Sequence, residues 1–204
     1  MKKIFYITIL LLGIFTVDVS AQPITYTVQP GDTMWKIATK YEVGVSEIIA
    51  SNPSVSNPSM IYPGQKLTVP TNNDIKALEN EVIRLVNVER VNRGLQPLTQ
   101  NWQLSRVARY KSQDMANKNY FSHTSPTYGS PFTMMENFGI QFTAAGENIA
   151  MGQTNPSAVM TSWMNSPGHR SNILSPTYNQ IGVGLATSSN GTKYWTQQFI
   201  RSMY

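Results

Sequence analysis

The segment Asn165–Leu174, NSPGHRSNIL, contains His169, one of only two histidines in a chain of 204 residues. The second histidine, His123, lies in the segment YFSHTSP, and a third polar segment between them, GENI, contributes Glu147. Two imidazoles and a carboxylate form a donor set that binds zinc in proteins, and the same groups can transfer protons. His123, Glu147 and His169 are therefore candidate metal ligands and candidate catalytic residues.

The spacing of these residues does not by itself define a site. Two histidines four residues apart on one helix would indicate a metal site, whereas His123 and His169 are 46 residues apart (169 − 123). The alternative is that each histidine is a structural residue hydrogen-bonded within its own turn. Glu147 would then be satisfied by backbone amides. Both interpretations stay open on the residues alone.

The composition excludes several classes of function. The chain has no cysteine, which excludes disulfides and thiolate metal sites. Its formal net charge is +5, and the basic residues are spread along the chain. A nucleic-acid-binding protein usually carries a basic stripe, so no nucleic-acid partner is expected. The modest positive charge favours attraction to an anionic cell wall.

Residues 1–21 have the pattern of a secretory signal sequence. Lys2 and Lys3 precede the apolar run Ile4–Phe15, and small residues lead up to Ala21, where cleavage is expected. The apolar run is shorter than the roughly 20 residues that a membrane-spanning helix needs. The sequence therefore predicts a secreted, extracellular or wall-associated protein without a transmembrane anchor after cleavage.

Residues 25–70 predict a small strand–helix–helix–strand unit. Tyr26–Val28 is a short β-prone run, and Asp32 and Ser46 stand where the N-caps of two short helices are expected. Lys66–Val69 then has the pattern of a closing strand. A unit of this size lies close to the lower limit for a domain that folds without disulfides.

Three motifs follow one another in this unit: VQPGDTMWKIA, NP and IYPGQKL. In this order they resemble a LysM module, with Met34 where leucine is commoner. The resemblance implies binding of glycans that contain N-acetylglucosamine, such as peptidoglycan or chitin, in a shallow groove. The groove residues of the family carry over to the following positions: Gly31, Asp32, Thr33, Asn52, Pro53, Ile61, Tyr62 and Pro63.

Residues 75–204 follow a short polar linker, residues 71–74, and combine helical patterns with later strand patterns. The predicted helices begin near Asp74, Trp102, Pro131 and Asn155, and the predicted strands are Ile181–Leu185 and Tyr194–Phe199. The two strands are joined across Asn190-Gly191, a strong hairpin signal. Helices first and antiparallel strands later indicate an α+β layered domain with one core.

Six motifs occur in order in this region: LVNVERVNRGLQPL, YFSHTSP, GENIA, SWMNSPGHRSNIL, IGVGLA and YWTQQF. Together they resemble a bacterial CAP domain, the superfamily of cysteine-rich secretory proteins, antigen 5 and pathogenesis-related proteins. The resemblance implies an α-β-α sandwich after the βααβ module, so that the chain as a whole is α+β. It also implies a central cleft lined by two histidines and two glutamates, which hold zinc or another divalent ion in some members.

His123, Glu147 and His169 match three of those four cleft residues. The position of the second glutamate is taken by Ser166, which cannot supply a carboxylate charge. We therefore expect a less anionic cleft that binds a metal more weakly than the full set. Glu136, in MMENFG, is another carboxylate, which the sequence does not place.

Three functions are compatible with these features. The first is a secreted wall-associated or spore-associated protein that binds glycan through LysM and presents the CAP cleft to a ligand. The second is a metal-dependent extracellular hydrolase acting on wall peptides or polymers, in which the metal would activate a water molecule. The third is a structural protein of the envelope or spore coat. A protein or a lipid is a further alternative as the ligand of the cleft.

Overall fold

The strands of the chain form two separate sheets, one in each of two consecutive modules. The structure, a computed structural model, describes residues 23–203. The N-terminal module consists of β1 (Ile24–Thr27), α1 (Met34–Tyr41), α2 (Val45–Ala50) and β2 (Lys66–Val69). The C-terminal module consists of α3 (Asn73–Val91), β3 (Thr99–Gln100), α4 (Trp102–Lys118), α5 (Pro131–Asn137), β4 (Phe142–Met151), α6 (Pro156–Asn165), α7 (Pro167–Ile173), β5 (Gln180–Thr187) and β6 (Lys193–Ser202).

The predicted signal sequence, residues 1–21, lies outside the described residues. Among the helices of residues 23–203, none combines the length and the apolar character that crossing a membrane requires.

The N-terminal module has the predicted βααβ order. Strands β1 and β2 pair antiparallel, with Ile24 opposite Val69, and the two helices cover a small apolar core that includes Ile37, Ile48 and Leu67. The buried side chain of Asn52 joins α2 to β2. Its amide donates to the carbonyls of Ile48 and Thr68, and its oxygen accepts from the amide of Thr68.

The caps of the two short helices differ from the prediction. The N-cap of α1 is Thr33, whose Oγ1 accepts from the amide of Lys36. The carboxylate of Asp32 instead accepts from the Tyr26 hydroxyl at 2.7 Å and from the amide of Gln29 at 2.8 Å. The bond from the Gln29 amide and then the bond from Tyr26 lower the pKa of Asp32. Asp32 therefore fixes the loop before α1 rather than the helix itself.

Helix α2 begins two residues earlier than its predicted cap allows. Its N-cap is Gly44 rather than Ser46, and Glu47 closes the first turn by accepting from the amide of Gly44 at 2.9 Å. In α3 the N-cap position belongs to Asn72, and Asp74 lies in the first turn. The carboxylate of Asp74 is favourable there because a helix N-terminus carries a partial positive charge.

The C-terminal module is the predicted α-β-α sandwich. Its sheet has the order β3-β5-β6-β4, in which only the β3–β5 pair is parallel. The odd-numbered residues of β5 and β6, such as Val183 and Trp195, pack against α3, α6 and α7. The even-numbered ones, such as Ala186 and Ile200, pack against α4 and α5. The helices at Trp102–Lys118 and Pro131–Asn137 have the predicted bounds.

Helix α4 lies directly against strand β5 because two glycines of IGVGLA leave room for its backbone. A Cβ atom on Gly182 would lie 2.4 Å from the backbone nitrogen of Ser105, and one on Gly184 would lie 2.1 Å from that of Arg109. A separation below 3.0 Å from backbone is not tolerated. The alternating glycines therefore set the distance between this helix and the sheet.

The two modules contact each other through α2 and α4. The carboxylate of Glu47 accepts from Arg106 Nε at 2.6 Å and from the Tyr110 hydroxyl at 3.0 Å. The half-buried ammonium group of Lys76, in α3, donates to the carbonyl of Tyr41 at 2.6 Å. The two modules are therefore in direct contact. These bonds join α2 to α4 and the end of α1 to α3, close to the connection at residues 71–72.

Candidate functional site

His123 and His169 line one cleft at the edge of the sheet. The cleft has a volume of about 490 Å³, and its wall includes Ile149 and Met151 of β4. Strand β4 is the last strand of the sheet. His123 comes from the loop between α4 and α5, and His169 from α7. The structure thus brings together two histidines that the sequence separates widely.

His123 is held by the carboxylate of Glu147. The distance from His123 Nδ1 to Glu147 Oε1 is 2.8 Å, and Glu147 Oε2 accepts from Gln198 Nε2 at 3.1 Å. The Glu147 side chain is 1% exposed, whereas that of His123 is 53% exposed. Since a carboxylate oxygen accepts, the tautomer of a neutral His123 ring that fits this contact carries its proton on Nδ1 and leaves Nε2 as an acceptor. The pair therefore leaves a basic nitrogen free beside an open cleft.

The loop that carries His123 is anchored by a fully buried lysine. Lys111 Nζ donates to the carbonyl of Ser122 at 2.7 Å and to the hydroxyl of Tyr120 at 3.2 Å. Burial lowers the pKa of Lys111. Because Lys111 belongs to α4, which packs on the sheet, the position of His123 is tied to the core of the module.

A buried carboxylate, Asp114, holds the other side of the same loop. Asp114 accepts from the hydroxyls of Tyr120 at 2.6 Å and Ser125 at 2.7 Å, and also from Thr127 Oγ1. Burial raises the pKa of Asp114, but the bonds from Thr127 and Tyr120 outweigh it, and the pKa lies below its ordinary value. The carboxylate is therefore stabilised in its charged form.

His169 is positioned through its backbone. Its carbonyl accepts from Asn148 Nδ2 at 3.0 Å, and the oxygen of the fully buried Asn148 amide accepts from Asn172 Nδ2 at 2.9 Å. Asn148 thus links β4 to α7 on both sides of His169. Burial lowers the pKa of His169, and the positive charge that His123 carries when it is protonated lowers it further.

Side chains from other elements also donate hydrogen bonds to backbone carbonyls at the edge of β4. The carbonyls of three alternate residues accept from side-chain donors: Ala145 from Tyr178, Glu147 from Asn172 and Ile149 from Trp163. A Cβ atom on Gly146 would lie 2.5 Å from the Tyr178 hydroxyl oxygen, so glycine is needed for this contact. An edge strand left uncovered would invite pairing with another chain. The segment that contains the GENIA motif is therefore a covered sheet edge, and its residues Ile149 and Ala150 also line the cleft.

Both oxygens of Glu147 are hydrogen-bonded, one to His123 and the other to Gln198. Within residues 23–203, no three histidine, cysteine, aspartate or glutamate side chains are grouped so that they could hold a metal ion. The alternative that backbone amides satisfy Glu147 is wrong, since its carboxylate is hydrogen-bonded to the side chains of His123 and Gln198. Metal binding by the cleft stays a prediction.

Ser166 and Glu136 are not among the residues that line the cleft. Ser166 occupies the N-cap position of α7, but its side chain makes no capping bond. Glu136 borders a different depression, together with Phe142 and Met203. Sequence reasoning missed Phe121 and Met151, two exposed apolar side chains at the rim of the cleft. The sequence does contain a signal for Phe121, since it is a large apolar residue within an otherwise polar segment.

The predicted glycan-binding residues lie in two segments of the N-terminal module. Gly31–Thr33 forms the loop between β1 and α1, and Gly31 adopts a left-handed conformation at φ 81°. Asn52 is buried and committed to the backbone, so it can contribute only through the shape of its loop. Tyr62 is the predicted groove residue with a large exposed side chain. Of the other three predicted residues of that segment, Pro53 and Pro63 are exposed and Ile61 packs against the module's core.

The fold and the cleft define a LysM module docked on a CAP domain. Residues 83–199 match the profile of the cysteine-rich secretory protein family (CAP), and residues 26–70 match that of the LysM domain. The chain belongs to the cysteine-rich secretory protein family and carries a LysM domain on the N-terminal side of its CAP domain.

Three similar proteins illustrate this relationship. The YkwD protein of Bacillus subtilis (strain 168) is 53% identical over 133 residues, 65% of this chain and 51% of that protein. The crystal structure of an extracellular SCP-domain protein from Bacillus anthracis str. Ames is 35% identical, with a TM-score of 0.58 over 69% of this chain and 47% of that one. The spore coat assembly protein ExsA of Bacillus cereus is 48% identical over 46 residues, 22% of this chain and 7% of that protein. The chain spans about half, or less, of the length of these relatives.

Proposed function

We propose that this protein is exported and binds peptidoglycan or a chitin-type glycan of the cell wall or spore envelope through its LysM module. The CAP domain then presents the cleft of His123 and His169 to a ligand in the same layer. The observation that carries the proposal is the LysM module itself, whose Tyr62 side chain is 59% exposed in the segment assigned to the glycan groove. A large aromatic side chain left in water is common at binding surfaces.

Three further observations support a place in the envelope. Residues 1–21 have the pattern of a secretory signal, and the net charge of +5 favours an anionic wall. The LysM region is similar to part of a spore coat assembly protein. A LysM module also raises the local concentration of the attached CAP domain near wall ligands without any new contact.

Co-sedimentation with purified peptidoglycan and with chitin tests the proposal. The full chain should pellet with at least one of these polymers, and Tyr62→Ala should weaken binding by about fivefold or more, the loss typical of an interfacial aromatic anchor. Phe132→Ala is the matched control, since Phe132 is an exposed aromatic residue of the CAP domain. A chain that stays in the supernatant with both polymers would overturn the proposal.

A second candidate function rests on the His123–Glu147 pair. A buried carboxylate that fixes an imidazole and leaves its second nitrogen facing a cleft is an arrangement used for general-base catalysis. His123 Nε2 could accept a proton from a water molecule that attacks a wall peptide or polymer. Incubation of wall fragments with the protein, followed by mass spectrometry, would detect new ends that are lost in His123→Ala. Unchanged fragments would remove this candidate.

A further inference from the structure

Two of the four tryptophans lie side by side across the boundary between the modules. Trp35, the second residue of α1, is 56% exposed, and Trp102, the first residue of α4, is partly buried. Their ring centroids are 6.4 Å apart, and the ring planes are inclined at 44°. The other two, Trp163 and Trp195, are fully buried in the CAP core.

The core of the LysM module does not explain Trp35. The neighbouring residues Met34, Ile37 and Ala38 are buried, so Trp35 stands on the opposite side of α1 from the core. It follows directly on the loop Gly31–Thr33, one of the two segments assigned to the glycan groove. A tryptophan exposed to this degree next to a binding loop is the kind of residue that carries the free energy of binding at interfaces.

The docking of the modules holds Trp102 in place beside Trp35. Arg106 lies one helical turn after Trp102, on the same face of α4. It bonds to Glu47 at 2.6 Å and to Ser46 at 3.1 Å. Gly44 permits this approach, because a Cβ atom there would lie 2.4 Å from the Arg106 guanidinium. The start of α4, which carries Trp102, is thus held against α2 of the LysM module by polar contacts that do not involve the rings.

We infer that the glycan-binding surface continues from the LysM module onto the CAP domain. Trp102, together with Trp35, forms an additional subsite for a sugar ring of the strand held in the LysM groove. This inference rests on the proposed function. The occupant is a glycan strand containing N-acetylglucosamine, because the next sugar of a strand in the groove is the ligand delivered to a position beside the Gly31–Thr33 loop. An indole face packs against the apolar C–H face of a pyranose ring.

Calorimetry of the full chain with chitohexaose and with chitobiose tests the inference. Trp102→Ala should weaken chitohexaose binding by about threefold to tenfold, the range expected for one aromatic contact. The effect on chitobiose should be less than about twofold, because a disaccharide is too short to reach both the groove and the subsite. Trp102→Phe, which keeps a ring, should restore most of the affinity.

Tryptophan fluorescence supplies a readout that affinity alone does not. Because Trp163 and Trp195 are buried, a change in emission on adding chitohexaose reports Trp35 and Trp102. We expect the change in wild type, and a smaller one in Trp102→Phe at saturating ligand. Phe132→Ala is the control and should behave as wild type.

The experiments distinguish failure of the proposed function from failure of the inference. If the wild type binds neither oligosaccharide, the inference is overturned. The proposed function is overturned with it only if the chain also stays in the supernatant with both peptidoglycan and chitin. If it binds and Trp102→Ala binds chitohexaose equally well, only the inference fails. A loss that Trp102→Phe does not restore and that Glu47→Gln reproduces would assign Trp102 to docking alone, which also overturns the inference.

Discussion

Glu47 of the LysM module and Arg106 of the CAP domain form an ion pair at 2.6 Å that joins the two modules. Both side chains are mostly buried, and Glu47 also accepts from Tyr110 and from the amide of Gly44. One carboxylate therefore completes the first turn of α2 and binds the neighbouring module. This residue therefore contributes to holding the LysM module against the CAP domain.

Glu47→Gln should uncouple the modules. The change removes a charge-assisted bond to Arg106 that is shielded from solvent, and we expect a cost of about 1–3 kcal/mol. Thermal unfolding should separate into two transitions where the wild type shows one. Glu81→Gln is the control, since the Glu81–Arg84 pair is exposed and lies within α3. A single unshifted transition in Glu47→Gln would contradict the role assigned to the pair.

The docking contact should also be lost as the pH falls. Burial raises the pKa of Glu47, but the bonds from Arg106 and from the amide of Gly44 outweigh it, so its pKa in the folded protein is below 4.5. The stabilisation is therefore fully present above about pH 4.5 and disappears as the pH falls through the lowered pKa. Small-angle scattering from pH 7 to pH 3 should show the chain extending at the acid end. Glu47→Gln should lack this dependence.

Gly44→Ala should weaken docking without unfolding the LysM module. The φ angle of Gly44 is −77°, which alanine adopts freely, so the backbone does not require glycine there. The added Cβ would instead displace the Arg106 guanidinium from Glu47. We expect a loss of about 1 kcal/mol, in the range of one hydrogen bond to a charged group. NMR spectra of wild type and variant should differ at the α2–α4 contact and agree in the LysM core.

Local sequence patterns predicted elements whose residues carry their own signals. The helix Trp102–Lys118 has apolar residues at helical spacing, and the hairpin between β5 and β6 has Asn190-Gly191 at its turn. Strand β4 was missed, because polar and small residues interrupt its apolar ones and its second half is buried on both faces, so FTAAGENIAM does not alternate.

Helix α7 was also missed, because Pro167-Gly168 is typical of a turn, although proline is equally favoured at the first position of a helix. The resemblance to known families supplied the cleft histidines, while their distances depend on tertiary packing. The Glu47–Arg106 pair also depends on tertiary packing, since its two residues are 59 positions apart and no local sequence pattern connects them.

Gly184→Ala should strongly destabilise the CAP domain. The Cβ atom would lie 2.1 Å from the backbone nitrogen of Arg109, and neither the helix nor the strand can move without disturbing the core. Overpacking of this kind costs about 3 kcal/mol or more when backbone must shift. Urea unfolding followed by circular dichroism measures the loss. Gly168→Ala, with no atom within 4 Å of the added Cβ, should leave stability unchanged or raise it slightly.

The metal prediction can be tested on the cleft itself. Calorimetric titration of zinc into the full chain, against His123→Ala/His169→Ala, separates metal ligands from structural histidines. If the imidazoles bind zinc, the double variant should lose binding entirely. Glu147→Gln should weaken it by about tenfold, since removing a partner that orients a ligand has effects of that order. Equal binding by wild type and double variant would place any zinc site elsewhere.

Asp114→Asn should destabilise the loop that carries His123. It should also make the free energy of unfolding depend less on pH in the acid range. The carboxylate accepts bonds from three hydroxyl groups, and we expect a loss of about 2–3 kcal/mol at pH 7. Hydrogen bonds hold the pKa of Asp114 below 3.8 in the folded protein, so its contribution is present above that value and is lost as the pH falls through the folded pKa. Urea unfolding of both proteins at pH 7 and pH 3 should therefore give curves that converge at the lower pH. Curves that stay equally far apart at both values would show that the charge of Asp114 does not stabilise the loop.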